Sequence, residues 1–237
     1  TPDIVDRMTM IDYGAALAIR EPLPFMLFLL GLGRNGKGCF ENILYELYGK
    51  EKFAEIKIDE LNESRFATGS LKDKWCLIIT ESGNNRGRNT LDTRIVKKIT
   101  GGDFLDSDRK NRSRIRFRAT CRIIIDLNLM PSIDDRSRGI EERFCKTNLP
   151  YSFLPHPKKD RPDEKLKDPR MYQKTTTEEE LQGIIAVFIE RGKEIWKAKE
   201  IVRHDPEATF EAYHDQSASI NAFLDKFCDY EPSMNND

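Results

Sequence analysis

The sequence predicts an α/β fold: a central, mostly parallel sheet flanked by helices, with helical segments at its N- and C-terminal ends. Three observations lead there. Short apolar runs such as Phe25 to Leu30, Leu77 to Ile79 and Ile123 to Ile125 have the length and unbroken hydrophobicity of strands buried on both faces. Stretches with apolar residues at helical spacing alternate with these runs, and an all-helical tail follows them. A glycine cluster, Gly31 to Gly38, stands directly between the first run and the first strong helix.

In chain order, residues 1–20 read as one or two short helices over Ile4 to Arg20. Residues 21–150 form the expected core. Within it, Phe25 to Leu30 is a strand and Lys37 to Leu47 a helix with Phe40, Ile43, Leu44 and Leu47 on one face. Trp75 to Thr80 and Arg122 to Leu127 are buried strands, and Leu91 to Ile99 is a helix stopped by Gly101-Gly102. Between them Phe104 to Phe117 reads as a hairpin turning at Asp108-Arg109-Lys110-Asn111, with Phe104, Ile115 and Phe117 packing its inner face. Residues 151–177 are expected to be a proline-rich loop or linker, since five of the 11 prolines fall between Thr147 and Thr177. Residues 178–237 would be a helical subdomain of two amphipathic helices, Glu178 to Lys197 and Pro206 to Asp229, with Leu181, Ile184, Ile185, Phe188 and Ile189 as a core stripe.

Composition excludes several classes. With 38% hydrophobic and 33% charged residues, 13 Phe, 7 Tyr and 2 Trp, the chain is polar yet able to form a core. Its longest apolar stretch, near Leu23 to Leu32, is half the roughly 20 residues that span a bilayer, so no membrane association is expected. No secretory leader pattern stands at the N-terminus, and Thr1 suggests a piece of a longer protein. Five scattered cysteines, none in C-x-x-C spacing, and three histidines give no zinc pattern and read as reduced thiols of a cytoplasmic protein, in the host or at a viral replication site. His156, His204 and His214 stand beside no nucleophile motif. The net charge of -1 hides an asymmetry: between Asn84 and Arg122 twelve basic residues face four acidic ones, a local excess of +8.

Gly31-Leu32-Gly33-Arg34-Asn35-Gly36-Lys37-Gly38 fits the phosphate-cradling pattern G-x-x-x-x-G-K, at the strand-to-helix junction the pattern requires. Glycines allow the backbone to curl so that N–H groups face phosphate oxygens, and the helix N-terminus adds positive potential. Lys37 would reach the β- and γ-phosphates of ATP. One departure is chemical: the position after the lysine, normally a Ser or Thr that ligates Mg²⁺, is Gly38, and Cys39 behind it is a poor ligand for so hard a cation. Metal would then depend on water, nucleotide oxygens and a distant carboxylate. Glu81, at the end of Trp75 to Thr80, is the expected carboxylate, holding Mg²⁺ through water and orienting or deprotonating the attacking water.

Taken together the motifs resemble the superfamily 3 helicase domain of poxvirus, phage and plasmid primase-helicases. The resemblance rests on Gly-Arg-Asn-Gly-Lys over 33–37, Glu81, Lys97-Lys98-Ile99-Thr100-Gly101-Gly102-Asp103, Asn128-Leu129-Met130-Pro131, Asp134-Asp135 and Glu142-Arg143-Phe144. It continues in Glu180-Leu181, Gly183-Ile184, Tyr213 and Phe223-Leu224, and so covers nearly the whole chain. It implies a P-loop NTPase of the AAA+ type that binds ATP and Mg²⁺ through Gly31, Gly33, Arg34, Asn35, Gly36, Lys37, Gly38 and Cys39. Lys37, Glu81, Asn128 and Arg143 would be catalytic, Asn128 as a γ-phosphate sensor and Arg143 as a finger reaching a neighbour's nucleotide. Arg109, Lys110, Arg112 and Arg114, on the hairpin at about 104–118, would track DNA.

The implied activity is that of a replicative helicase motor from a virus, plasmid or mobile element. It would move 3′ to 5′ on single-stranded or fork DNA as a homo-oligomeric ring, a hexamer by resemblance, with a primase domain N-terminal to this chain. Two other classes stay open on the residues alone. A small-molecule kinase could use the same loop, and a module degenerate at Gly38 could bind ATP and DNA without turnover.

Overall fold

The computed structural model describes residues 1–63, 67–82, 90–109, 112–133 and 135–214. It opens with α1 (Ile4–Ala16), whose start is set by Asp3: its carboxylate accepts the N–H groups of Val5 and Asp6 at 2.7 and 3.0 Å, a cap typically worth about 1 kcal/mol. β1 (Met26–Leu30) is buried at all five positions and runs through the glycine loop into α2 (Lys37–Tyr48). β2 (Phe53–Lys57) and α3 (Ile58–Glu63) follow, then β3 (Cys76–Thr80) and α4 (Thr93–Gly101). β4 (Phe104–Arg109) and β5 (Arg112–Arg118) form an antiparallel hairpin. β6 (Arg122–Leu127), the single turn α5 (Arg138–Glu141) and β7 (Phe144–Asn148) complete the core.

Five strands form one sheet in the order β2-β3-β6-β1-β7, every pair parallel. A parallel sheet leaves both faces to be covered, and the strands read accordingly as near-continuous apolar runs. Tyr13, Leu17, Leu27, Leu29, Leu44, Ile78, Ile124 and Phe188 fill the face under α1, α2 and a later helix over Glu178–Ala198. Phe28, Leu77, Ile79, Val96, Ile123, Ile125 and Phe144 fill the other. This mixed α/β architecture, a five-stranded parallel sheet between helices, agrees with the sequence expectation. The strands β2 and β7 and the helix α3 were not anticipated, because Phe53–Lys57 and Phe144–Asn148 mix charged and polar residues into short edge strands.

Buried polar side chains tie the N-terminal helix down. The Tyr13 hydroxyl sits between β1 and β6, donating to Phe25 O at 3.2 Å and accepting from Ile123 N at 3.1 Å. Arg122, 3% exposed, donates to Ala16 O, Ile19 O and Glu21 O beyond the end of α1, so this member of the basic excess serves the fold. Asp12 is fully buried and receives both forks of Arg191, at 2.6 and 2.8 Å.

The proline-rich stretch, expected as a loop or linker, carries short elements of its own. It contains β8 (Ser152–Leu154) paired in parallel with β9 (Glu164–Leu166), then α6 (Met171–Thr175). α7 (Glu178–Ala198) matches the predicted helix, capped by Thr177. Its stripe is only partly core, with Phe188 at 9% exposure but Ile185 and Ile189 at 42% and 52%. The helical tail divides between the two faces of the sheet. α7 packs on α1, whereas the helical residues 206–214 send Phe210 and Tyr213 against Phe144 on the opposite face. The rest of the predicted helix to Asp229, with Phe223 and Leu224, lies outside the described residues, as do Asp134, Arg86 and Arg88.

Candidate functional site

Parallel strands deliver their C-terminal ends to one edge of the sheet, and β3, β6 and β1 are neighbours there. The residues that leave these strands are Glu81, Asn128 and Gly31, so three sequence-distant groups meet because of strand order alone. After Gly31 the backbone takes positive φ at Gly33, Arg34 and Gly36 (87°, 52° and 96°), a curl glycine adopts without the Cβ clash. Such a curl gathers successive N–H groups around a concavity. Gly36 then serves as the N-cap of α2, with no side-chain cap, leaving the helix N-terminus open toward the loop.

Lys37 is the first residue of α2 and is 7% exposed. Its ammonium lies 2.9 Å from Gly31 O, 3.0 Å from Leu127 O, 3.2 Å from Asn128 Oδ1 and 3.0 Å from Asp126 Oδ1. Asn128 in turn gives its backbone N–H to Glu81 Oε1 and its amide to Glu81 Oε2, both at 2.8 Å. The result is a continuous polar chain from Asp126 and Lys37 through Asn128 to Glu81.

Two carboxylates that the sequence reading did not single out belong to this cluster. Asp126 interrupts the apolar β6, and Glu41 stands one helical turn beyond Lys37 on α2. Burial, then the neighbouring charge and hydrogen bond of Asp126, push the Glu41 carboxyl up to about 8. An acid inside the run Ile123-Ile124-Ile125-Asp126-Leu127 was a usable signal, since a charge in a doubly covered strand needs a partner. Glu41 carried no such signal, because helix positions outside the apolar stripe are ordinarily solvated.

The proline-rich segment packs against the glycine loop. Phe153 N donates to Arg34 O at 2.8 Å, and Leu149 N donates to Leu30 O at 2.9 Å. Farther along, Tyr172 OH on α6 donates to Glu46 on α2 at 2.6 Å, and Cys39 Sγ lies 3.7 Å from Thr175 Oγ1. Cys39 is thereby engaged with α6.

Arg143 lies at the opposite edge of the sheet. Its carbonyl accepts from Met26 N at 2.9 Å, at the start of β1, so the five residues of β1, about 16 Å, separate it from its own chain's loop. The guanidinium donates to Thr100 Oγ1 at 2.8 Å and to Gly139 O, while Glu142 pairs with Arg138 instead.

The hairpin forms, and β4 extends to Arg109, so Asp108 and Arg109 of the predicted turn are strand residues. Lys110 lies outside the described residues, and the side chains of Arg109 and Arg112 are likewise not described. Leu105 pairs across with Phe117 and Ser107 with Ile115 on the inner face. Phe104 corrects the expectation: it points outward, 56% exposed, with the Arg116 guanidinium 5.0 Å from its ring centre. Arg114 lies 3.9 Å from Asp106 and 3.8 Å from Asp108, so acids on the facing strand offset part of the basic excess. Lys97 is paired with Asp135 at 2.6 Å.

Hard oxygen donors suit Mg²⁺, and the carboxylates of Glu81 and Asp126 supply them at the sheet edge, with Gly38 contributing none. An orphaned acceptor, Glu41 Oε1, and an orphaned donor, Asn35 Nδ2, lie buried beside the loop. These are polar atoms that a bound phosphate and its cation could pair.

The fold and this edge define a mixed α/β protein compatible with the P-loop-like class. A family model described as a family of unknown function (DUF5906) matches residues 29–143, from within β1 to the start of β7. Among solved structures, the A form apo structure of the NrS-1 C-terminal region aligns with a TM-score of 0.57 at 20% identity, covering 85% of this chain and 44% of that one. A second apo structure of the same region gives 0.56 at 19% identity, covering 85% and 45%. A further A form structure gives 0.57 at 20% identity, covering 92% and 52%. The chain thus spans about half the length of the structures whose fold it shares. A JCV helicase aligns at a TM-score of only 0.39 and 11% identity, over 81% of this chain and 53% of that one, too low to establish a common fold. No curated protein sequence matches the chain. Among the described residues no helix is long and apolar enough to cross a membrane.

Proposed function

We propose that this chain is the ATP-hydrolysing motor domain of a DNA helicase from a viral, plasmid or mobile-element replication protein. The reading is carried by one observation: Lys37, Asn128 and Glu81 form a hydrogen-bonded chain at the mouth of a G-x-x-x-x-G-K loop. The motif resemblance and the fold shared with the NrS-1 C-terminal region stand beside it.

In this reading the loop amides and Lys37 bind the phosphates, and Lys37 exchanges its carbonyl partners for phosphate oxygens. Asn128, released by Lys37, turns toward the γ-phosphate and the attacking water. Glu81 then accepts the water's proton. Bound Mg²⁺ would neutralise charge on the phosphates, held by the carboxylates of this edge. Arg143 acts on the nucleotide of an adjacent subunit in a ring, hexameric by resemblance, and the hairpin contacts single-stranded or fork DNA in the channel. A primase module would precede this domain in the whole protein.

Mg²⁺-dependent ATP hydrolysis by the full chain, with and without single-stranded DNA, tests the reading. DNA is expected to stimulate turnover, and Lys37→Ala and Arg143→Ala to abolish it, the second by about 10³-fold or more with nucleotide binding retained. Turnover indifferent to DNA and surviving Arg143→Ala would overturn it in favour of a small-molecule kinase.

A further inference from the structure

The loop lysine of a phosphate-loop ATPase is ordinarily followed by a hydroxyl that ligates the nucleotide's cation, and a strand-end aspartate supplies the companion carboxylate. Neither residue type is in its ordinary place here. Gly38 has no side chain, although nothing lies within 4 Å of where its Cβ would be, so packing does not demand the glycine. On β3 the residue preceding Glu81 is Thr80. Resting on the nucleotide-site reading above, we propose that Asp126 is the carboxylate that directly ligates the nucleotide's divalent cation, transferred from β3 to the neighbouring strand β6.

The register makes the transfer possible. Thr80 and Asp126 are direct partners across the parallel β3–β6 pair, and Asp126 is also paired with Leu29 of β1, which leads into the loop. Alternation along the strands puts Thr80 and Asp126 on one face: Ile78 and Ile124, two residues earlier, both pack in the core under α2. Moving the carboxylate one strand over therefore keeps its face and height and brings it closer to β1. Its Oδ1 lies 3.0 Å from Lys37 Nζ, and the side chain is 20% exposed, buried enough to be oriented and open enough to meet a ligand.

Two unpartnered atoms point independently to a missing ligand. Asn35 is 6% exposed, yet its Nδ2 donates to nothing and is folded against Gly31, at the loop mouth where Gly31 O holds Lys37. Glu41 Oε1, on the α2 turn above Asp126, is buried without a donor. A buried donor left unpaired at the loop mouth is the complement of a bound anion. Among the described residues Asp126 is the carboxylate paired with the loop lysine, and Glu41 packs beside it.

The test measures metal binding at fixed pH in place of turnover. Wild type, Asp126→Asn and Thr80→Val would be titrated with a fluorescent ADP in Mg²⁺ and in EDTA, and with Mn²⁺ followed by electron paramagnetic resonance. Wild type should bind the nucleotide more tightly with metal. Asp126→Asn should lose the gain in nucleotide affinity that metal confers on wild type, and lose Mn²⁺ affinity by about 10-fold or more, the lower end of what even an outer-sphere partner contributes. Thr80→Val should bind Mn²⁺ as wild type does. In parallel, wild-type protein carrying ¹³C-carboxyl aspartate should show a ¹³C coupling to Mn²⁺–ADP, a readout that needs no variant to fold. Metal-dependent binding that persists in Asp126→Asn, or labelled wild type without that coupling, would overturn the assignment and leave the nucleotide site standing. A wild-type chain that binds no nucleotide under either condition would overturn the site itself.

Discussion

The loop edge of the sheet and the hairpin gather polar side chains in opposite ways. At the edge, Lys37, Glu81, Asp126 and Asn128 come from three separate parts of the chain, and each holds another through bonds of 2.8 to 3.2 Å. In the hairpin, Arg114, Arg116 and Arg118 are near neighbours in sequence, placed on one face by alternation and exposed to solvent. At the edge the largely buried Lys37–Asp126 pair is weakly screened, so a loss there is severe, whereas exposed charges are screened and nearly interchangeable. Mutations should therefore have steep, non-additive effects at the edge and graded, salt-dependent effects on the hairpin.

Within these two regions the sharpest break is Lys37→Ala, which should lower ATP turnover by about 10³-fold or more, below detection in steady-state assays. Asn128→Ala removes the amide donor to Glu81 Oε2, leaving only the backbone N–H on Oε1, and should lower turnover by up to about 10²-fold, the scale of a misplaced reacting group. The double variant should fall well short of the product of the two, since both act through one chain of bonds. Phe104→Ala should weaken single-stranded DNA binding by about 1–3 kcal/mol in fluorescence anisotropy, the range for a stacked aromatic. Arg114→Ala should chiefly reduce the slope of log K against log salt, by about 0.7 for one lost phosphate contact.

The smallest effect concerns stability. Glu41 titrates at about 8 in the folded chain against 4.5 ordinarily, so the folded state binds the proton more tightly. Its contribution is fully present below pH 4.5 and is lost as pH rises through 8. Thermal melts should show a declining Tm across that window, and Glu41→Gln should flatten the decline. An unchanged slope would mean that the pH dependence does not come from Glu41.

The difference between the two regions also explains what could be read in advance. The strands at Phe25 to Leu30, Trp75 to Thr80 and Arg122 to Leu127 announced themselves because a parallel sheet covered on both faces needs unbroken apolar runs. The loop announced itself because only glycine takes its backbone turns cheaply. Asp126 and Glu41 were missed, since their meaning depends on lying beside Lys37, which no local pattern encodes. The outward Phe104 was missed because its place follows from hairpin register, set by pairing with Arg118. The proline-rich stretch was read as a linker from composition, while its strands and α6 exist by packing on the loop and on α2.

By itself, then, the sequence determined the α/β class, the loop with Lys37, the candidate Glu81 and Asn128, and the existence of a basic hairpin, because each is set by residue type and short-range spacing. Tertiary structure alone decided strand order, which aligned β3, β6 and β1 and turned separate residues into one bonded chain. It also decided which charges remain available, burying Arg122 under α1 and pairing Lys97 with Asp135. The reason is physical: propensity and periodicity act over a few residues, whereas the partner of a buried charge is chosen by whichever strands lie side by side.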